Sequence, residues 1–425
     1  MVGGKRKSLK DRTVYIPRMS YGGSRAFAAA FKYLGIDSQP VPEGDERTLE
    51  LASKHTRGDE CLPARVTLGN FLKITEMPGF DQSKAAFFMP TSEGPCRLGQ
   101  YAPFMKFALK DMGYDDLMIL SPSSKDGYRD LGDVMESFVK LGWMGIVGSD
   151  ALRKMLHKYR PYEQQPEVVD RVYKEALEDY CSVLEDGSIP LKDKLGELAL
   201  SLERAREAFR AVPADWNREV LLIGVIGEIF CRLSTFSNQD LIRKLERAGG
   251  RAWLSDISEW VWYTNEEEKE RLKLYNRLFT LDMVKLMMTK HIQSKYEKRL
   301  LAPLEEEFEG IEEPHDINEI LKRSERYLPA RGAKGEMTLS VGKAIYLYEK
   351  GVDGIIDISP FTCMNGVISE AVYPEVSRDH DDIPIRTFYF DGTSTDLEND
   401  LEIFIELARN YNRRMKRSPA ENKTA

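Results

Sequence analysis

A short apolar run, Ala85-Ala86-Phe87-Phe88-Met89, reads as a buried strand, and apolar residues then recur at helical spacing (Phe104, Phe107, Ala108, Met112). The same alternation precedes it. Thr13-Val14-Tyr15-Ile16-Pro17 reads as a strand, a helix capped by Ser24 runs to about Leu34, and a second strand lies near Ser38–Val41. Asp116–Leu120 supplies another strand. Strands alternating with helices imply an open parallel sheet with helices on its faces. Right-handed crossovers then gather the strand-to-helix loops at one edge of that sheet. Gly22-Gly23 reads as a turn at a helix start, where a phosphate would also fit.

Beyond about Tyr128 the pattern changes to long amphipathic helices, including Val168–Leu184 and Leu191–Val212. Alternation resumes with a strand over 219–225, an outgoing loop over 226–232, a helix over 238–248 and a strand over 251–254. Residues 259–328 read as helical, with Glu266–Arg271 as a solvated charged face. A helix at 335–351, a strand at 354–358, a short helix, a strand at 385–390 and a final helix over 397–413 complete the pattern. The organisation expected is α/β: a first domain over 12–127, a helical segment over 128–215, a second domain over 216–412 with a helical insertion at about 259–330, and a polar tail over 413–425.

The 425 residues exceed one ordinary core. No apolar run approaches the ~20 residues of a membrane span, and no apolar stretch follows the basic N-terminus as in a signal peptide. The formal charge of −8 argues against a nucleic-acid partner. Five scattered cysteines do not form a disulfide framework, so a reduced, cytoplasmic setting is expected.

Three of the cysteines share a setting. Cys61 (Asp59-Glu60-Cys61-Leu62-Pro63), Cys96 (Gly94-Pro95-Cys96-Arg97) and Cys363 (Phe361-Thr362-Cys363-Met364) each stand at the start of a helix. The helix N-terminus is expected to lower their thiol pKa and to suit an anionic iron–sulfur cluster. Packing thiols, or zinc on three thiolates with a water or a histidine, fit the same residues, because no CxxC pair exists. The histidines are His55, His157, His291, His315 and His380, of which only His55 is near a candidate cysteine. Cys181, inside a helix, reads as packing.

Six strings occur in order: Ile16-Pro17-Arg18, Glu60-Cys61-Leu62-Pro63-Ala64-Arg65, Gly94-Pro95-Cys96-Arg97-Leu98-Gly99-Gln100-Tyr101, Ile226-Gly227-Glu228-Ile229, Pro360-Phe361-Thr362-Cys363-Met364 and Phe390-Asp391-Gly392. Together they resemble the 2-hydroxyacyl-CoA dehydratase superfamily, most nearly the dehydratase-like region associated with a CoA-enzyme activase. The resemblance spans roughly residues 13–412. It implies two Rossmann-like parallel-sheet domains joined by substantial helical segments. It also implies a [4Fe–4S] or double-cubane cluster on Cys61, Cys96 and Cys363, with one iron position open. Electrons would come from an ATP-hydrolysing iron–sulfur activase, in a homodimer or a heterodimer with a related subunit. The substrate would be a CoA thioester or a reducible small molecule, making the protein a dehydratase or a reductase. This chain has no Walker-type loop of its own, so a partner would hydrolyse the ATP. Arg97 would offset cluster charge, and Glu60 and Glu93 would position a proton. Glu228 and Arg232 are further candidates for substrate contact, Cys231 for a fourth thiolate, and Tyr101 reads as packing. The alternatives are an accessory or scaffold protein with an electron-transfer or structural cluster, and a zinc-binding or metal-free relative.

Overall fold

The structure, a computed structural model, describes residues 9–92, 94–122, 129–314, 316–329 and 335–421. Glu93 and His315 lie outside these residues. The chain begins with β1 (Thr13–Ile16), α1 (Tyr21–Tyr33), β2 (Ser38–Pro40), α2 (Glu46–Ser53), α3 (Leu62–Thr75), β3 (Ala85–Phe88), α4 (Tyr101–Asp111) and β4 (Met118–Leu120). Three long helices follow: α5 (Met135–Tyr159), α6 (Val168–Glu185) and α7 (Leu191–Arg210). Then come β5 (Leu221–Gly227), α8 (Ile229–Leu233), α9 (Leu241–Arg247), β6 (Gly250–Leu254), α10 (Ile257–Leu274), α11 (Leu281–Leu301), α12 (Ile317–Ser324) and α13 (Met337–Glu349). The chain closes with β7 (Gly354–Pro360), α14 (Met364–Asp379), β8 (Ile385–Phe390) and α15 (Leu397–Glu421).

Both sheets are parallel throughout, in the orders β2-β1-β3-β4 and β6-β5-β7-β8. Within each, the first strand of the chain pairs with the second and third, and the fourth lies beyond the third. The same topology is therefore built twice. The third strands, β3 and β7, are buried along their whole length, as strands of a sheet covered on both faces are, and in β7 this burial includes Asp357 and Ser359. Helix α5 is buried nearly all round and packs against α1, α6, α7, α10, α11 and β6. One apolar core runs from Val14 and Ala86 through α5 to Trp253 and Ile355, so residues of both sheets share it.

The halves also share a helix pair. Helix α3 packs on α2, and α13 packs on α12. A Cβ at Gly69 in α3 would stand 1.9 Å from the Thr48 carbonyl oxygen, and one at Gly342 in α13 would stand 2.1 Å from that of Ile320. Both glycines let the helix backbones touch. Gly69→Ala is expected to lower stability by about 1–3 kcal/mol through overpacking, measured as a shift in the urea midpoint.

Several expectations are corrected. Ser20, not Ser24, caps α1: its Oγ accepts from the Gly23 amide at 3.1 Å, while the Ser24 hydroxyl turns back to the Ser20 carbonyl at 2.9 Å. Gly22 and Gly23 are buried in the first turn of α1, where space is limited by Tyr173, Ser149 and Ile257. Helix α2 had no predicted counterpart, although Asp45 and Thr48 form a reciprocal cap at its start. The loop expected at 226–232 contains the end of β5 and α8. Glu266 is not solvated; it is buried between Lys269 at 2.5 Å and Lys290 at 2.7 Å. Helix α14 runs 16 residues through Pro374, and α15 continues to Glu421 rather than stopping at 413.

Candidate functional site

Cys61 caps α3, Cys96 precedes the short 3-10 turn that leads into α4, and Cys363 caps α14. Their backbones are nearly identical, with φ of −64°, −65° and −70° and ψ of 152°, 134° and 126°. An N-cap normally takes Ser, Thr, Asp or Asn, whose oxygen bonds a first-turn amide. None of these thiols makes a capping hydrogen bond. Three cysteines thus occupy positions where cysteine does little for the helix.

The repeated topology relates the positions. Cys96 and Cys363 follow the third strand of their sheets. Cys61 stands at the start of α3, the helix that leads into β3; in the other half Glu336 stands at the start of α13, which leads into β7. After the first strands, Ser20 caps α1 and Glu228 caps α8. Helix N-termini entering or leaving the inner strands share the carboxyl edge of a parallel sheet, which is where all six positions sit.

The two edges meet. Leu62 and Val66, in the first two turns of α3, pack in the core cluster of the second sheet. Arg65 donates to the Asp391 carbonyl at 3.1 Å. The Glu228 carboxylate acts electrostatically on Cys61, Cys96, Cys231 and Cys363. Cys61 acts on Cys96, while Cys231 senses both Cys61 and Cys363. Glu336 acts on Cys96 and Cys363.

Burial raises all three candidate thiols, which corrects the expectation of lowered values. It pushes Cys96 up to about 11, with Glu336, Glu228 and Cys61 adding to the effect. It pushes Cys363 up to about 12, with Glu228 reinforcing it. Cys61 moves in the same direction for the same reason, against the pull of Tyr101. The amides of Ala64, Leu98, Asn365 and Gly366 favour the anionic sulfurs, but too weakly to outweigh desolvation and the neighbouring carboxylates. Cys96 is exposed as a residue, yet desolvation still dominates its thiol. These thiols are protonated near neutrality, so binding a cation here releases protons.

Arg97 donates to the Asp59 carbonyl at 2.5 Å and ties the Cys96 turn to the Cys61 loop. Its charge also favours the Cys61 thiolate. Glu60 is engaged in its own loop. Its carboxylate closes its own loop by accepting from the Arg57 and Gly58 amides, both at 3.1 Å. Glu228 and Arg232 are also engaged in the scaffold. Glu228 accepts from the Phe230 and Cys231 amides at 3.1 and 2.8 Å. Arg232 is buried and donates to the Gly227 and Asp256 carbonyls at 2.9 and 3.3 Å. Cys231 is fully buried in the second core cluster, and Cys181 is fully buried as the packing residue expected.

Tyr101 is buried in the apolar core of the first half, as the packing reading expects, and its hydroxyl in addition lies 2.7 Å from the Cys61 sulfur. Nothing in local spacing signals a contact between residues 40 positions apart. Tyr101→Phe is expected to cost the metal-free protein about 1 kcal/mol, read from its denaturation midpoint. Glu336 was also missed, because an acidic residue at a helix start has an ordinary explanation in the helix dipole.

Among the described residues, no three His, Cys, Asp or Glu side chains are gathered tightly enough for a single metal ion. Thiolates around one zinc would lie about 3.8 Å apart, as tetrahedral bonds of 2.3 Å require. A [4Fe–4S] cluster holds each thiolate on a different iron and therefore needs a wider opening. Compared with known proteins, the chain matches no family model, and no curated protein is significantly similar to it.

Proposed function

We propose that the protein binds a [4Fe–4S]-type cluster through Cys61, Cys96 and Cys363 and takes low-potential electrons from an ATP-hydrolysing activase for reductive or dehydratase-type chemistry. One observation carries this reading: three cysteines in equivalent backbone conformations cap helices from both sheets, and all three sense the same half-buried carboxylate, Glu228. The donor chemistry fits, since thiolates are the ordinary ligands of such clusters and first-turn amides favour sulfur charge. Bound there, the cluster supplies a low-potential electron. The chain's own residues hold it from two sides: Arg97 keeps the Cys61 and Cys96 loops together, and Arg65 joins α3 to the loop after β8. The two sheets would then be two Rossmann-like domains closing on one site.

One observation favours a second reading, an accessory electron carrier: Glu60, expected to position a proton, is held by loop amides instead. Anaerobic reduction by an activase, with and without ATP and an acyl-CoA, separates the readings. ATP-dependent reduction with turnover supports the enzyme; reduction without turnover supports the carrier. Failure of ATP to promote reduction argues against both.

The partner proposal extends to a second copy of the chain. The tip joining α10 to α11 exposes Leu274, Tyr275, Phe279, Leu281, Val284 and Met288, with Phe279 at 102 % and Leu281 at 77 %. A standard interface buries ~800 Å² per partner and draws on clustered apolar and aromatic side chains of this kind. Apolar patches on monomers are typically smaller. Phe279→Glu with Leu281→Glu is expected to halve the mass in sedimentation; an unaltered protein that sediments as a monomer overturns the dimer.

A further inference from the structure

We propose that Tyr101 is a positioning residue of the site: its phenolic hydroxyl donates to the Cys61 sulfur, fixes that ligand and raises the reduction potential of the cluster. This role rests on the cluster proposed for Cys61, Cys96 and Cys363, and it adds a residue that ligates no iron itself.

Tyr101 is the first residue of α4 and directly follows the 3-10 turn that begins after Cys96. Its backbone amide donates to the Leu98 carbonyl, so the turn that carries Cys96 also fixes where the Tyr101 side chain starts. The ring enters the first half's core, 8 % exposed, among residues that include Leu68, Leu72, Phe87 and Met105. Cys61 packs against the same core. The hydroxyl stops 2.7 Å from the Cys61 Sγ. Among the described residues that sulfur is the hydroxyl's one partner, and Cys61 is the one candidate ligand that meets a side-chain hydroxyl. A buried tyrosine usually finds a partner for its hydroxyl. Here the partner is a thiol rather than a carbonyl or a carboxylate.

A second contact crosses between the same two segments, from Arg97 to the Asp59 carbonyl at 2.5 Å. Two bonds from the Cys96 turn therefore hold the Cys61 loop, one through its backbone and one through the ligand sulfur itself. Together they set the separation of the two sulfurs.

The direction of the Tyr101 bond follows from ligation. In the metal-free protein either group can donate. A thiolate bound to iron carries no proton, so the phenol becomes the donor and the sulfur the acceptor. Hydrogen bonds to an ionised acceptor are the stronger kind, and a buried site of low dielectric strengthens them further. One-electron reduction adds negative charge, part of it on the ligand sulfurs. The bond is then stronger in the reduced state and favours reduction. The electron comes from the activase, the phenol keeps its proton, and no covalent bond breaks.

The test is a potentiometric titration of the full chain, purified without oxygen and followed by the electron paramagnetic resonance of its reduced state. Tyr101→Phe keeps the ring and removes the donor. It is expected to retain its iron and to shift the one-electron equilibrium about tenfold toward the oxidised state, a fall of about 59 mV. Replacing Tyr101 by meta-fluorotyrosine, a more acidic phenol and a better donor, is expected to shift it the opposite way. In the unaltered protein, exchange into deuterium oxide is expected to remove a proton coupling that Tyr101→Phe lacks from the start. Circular dichroism checks that both variants fold. Iron-loaded Tyr101→Phe with the potential and the exchangeable coupling of the unaltered protein overturns the Tyr101 role and leaves the three-cysteine reading standing. If Tyr101→Phe folds without iron, the fluorotyrosine protein decides, and an unchanged potential there overturns the role. No bound iron in the unaltered protein overturns the cluster reading, and this inference with it.

Discussion

Cys96→Ser protein, purified without oxygen, is expected to hold less than about one iron per chain where the unaltered protein holds about four. The substitution separates ligation from folding unusually well. Cys96 is exposed, and its thiol makes no capping hydrogen bond. Serine is nearly the same size and is the better N-cap, so the turn before α4 should be preserved or slightly stabilised. Arg97 would still hold the turn to the Asp59 carbonyl. Loss of iron with an unchanged denaturation midpoint would mark Cys96 as a ligand. Unchanged iron would remove it from the site.

Lys343→Met is expected to destabilise the protein by about 3–5 kcal/mol, the cost of stranding buried charge. Lys343 is 1 % exposed and lies 2.6 Å from Glu259, with a second short contact to Glu313. Burial alone would depress its pKa, but Glu259 and Glu313 raise it. Glu313 also pairs with Lys154 on α5 at 2.8 Å and accepts from the Trp253 indole at 2.8 Å. Burial works against its charge, yet Lys154 and Lys343 pull its pKa far down, so Glu313 is ionised. Glu259 moves the other way because burial dominates there. Removing Lys343 therefore leaves the buried Glu259 without its lysine and the half-buried Glu313 with Lys154 alone. Denaturant unfolding measures the loss, and Lys343→Arg, which keeps a cation, should recover part of it.

The strands were legible because β3 is a continuous apolar run and β7 carries Ile355, Ile356 and Ile358, as a sheet covered on both faces requires. The long helices were legible from their amphipathic repeat. Helix α2 was not, because it is short and its start is marked by Asp45 and Thr48 rather than by an apolar stripe. Glu266 misled because the sign of a charge run does not reveal that one member faces Lys290 from a different helix. At the site, the three cysteine positions could be read from the strand-to-helix pattern. The hydroxyl of Tyr101 on Cys61 and the reach of Glu336 toward Cys96 could not, since both depend on how distant segments pack. The thiol pKa values ran opposite to the local argument for a related reason. The helix dipole is visible in sequence, whereas the desolvation and the carboxylates that outweigh it are tertiary.

Iron and acid-labile sulfide, assayed together on the unaltered protein after anaerobic purification and reconstitution, test the central claim most directly. The account predicts about four of each per chain, with the visible absorption of an iron–sulfur chromophore. Fewer than about one iron per chain, with no sulfide and no such absorption, would contradict it.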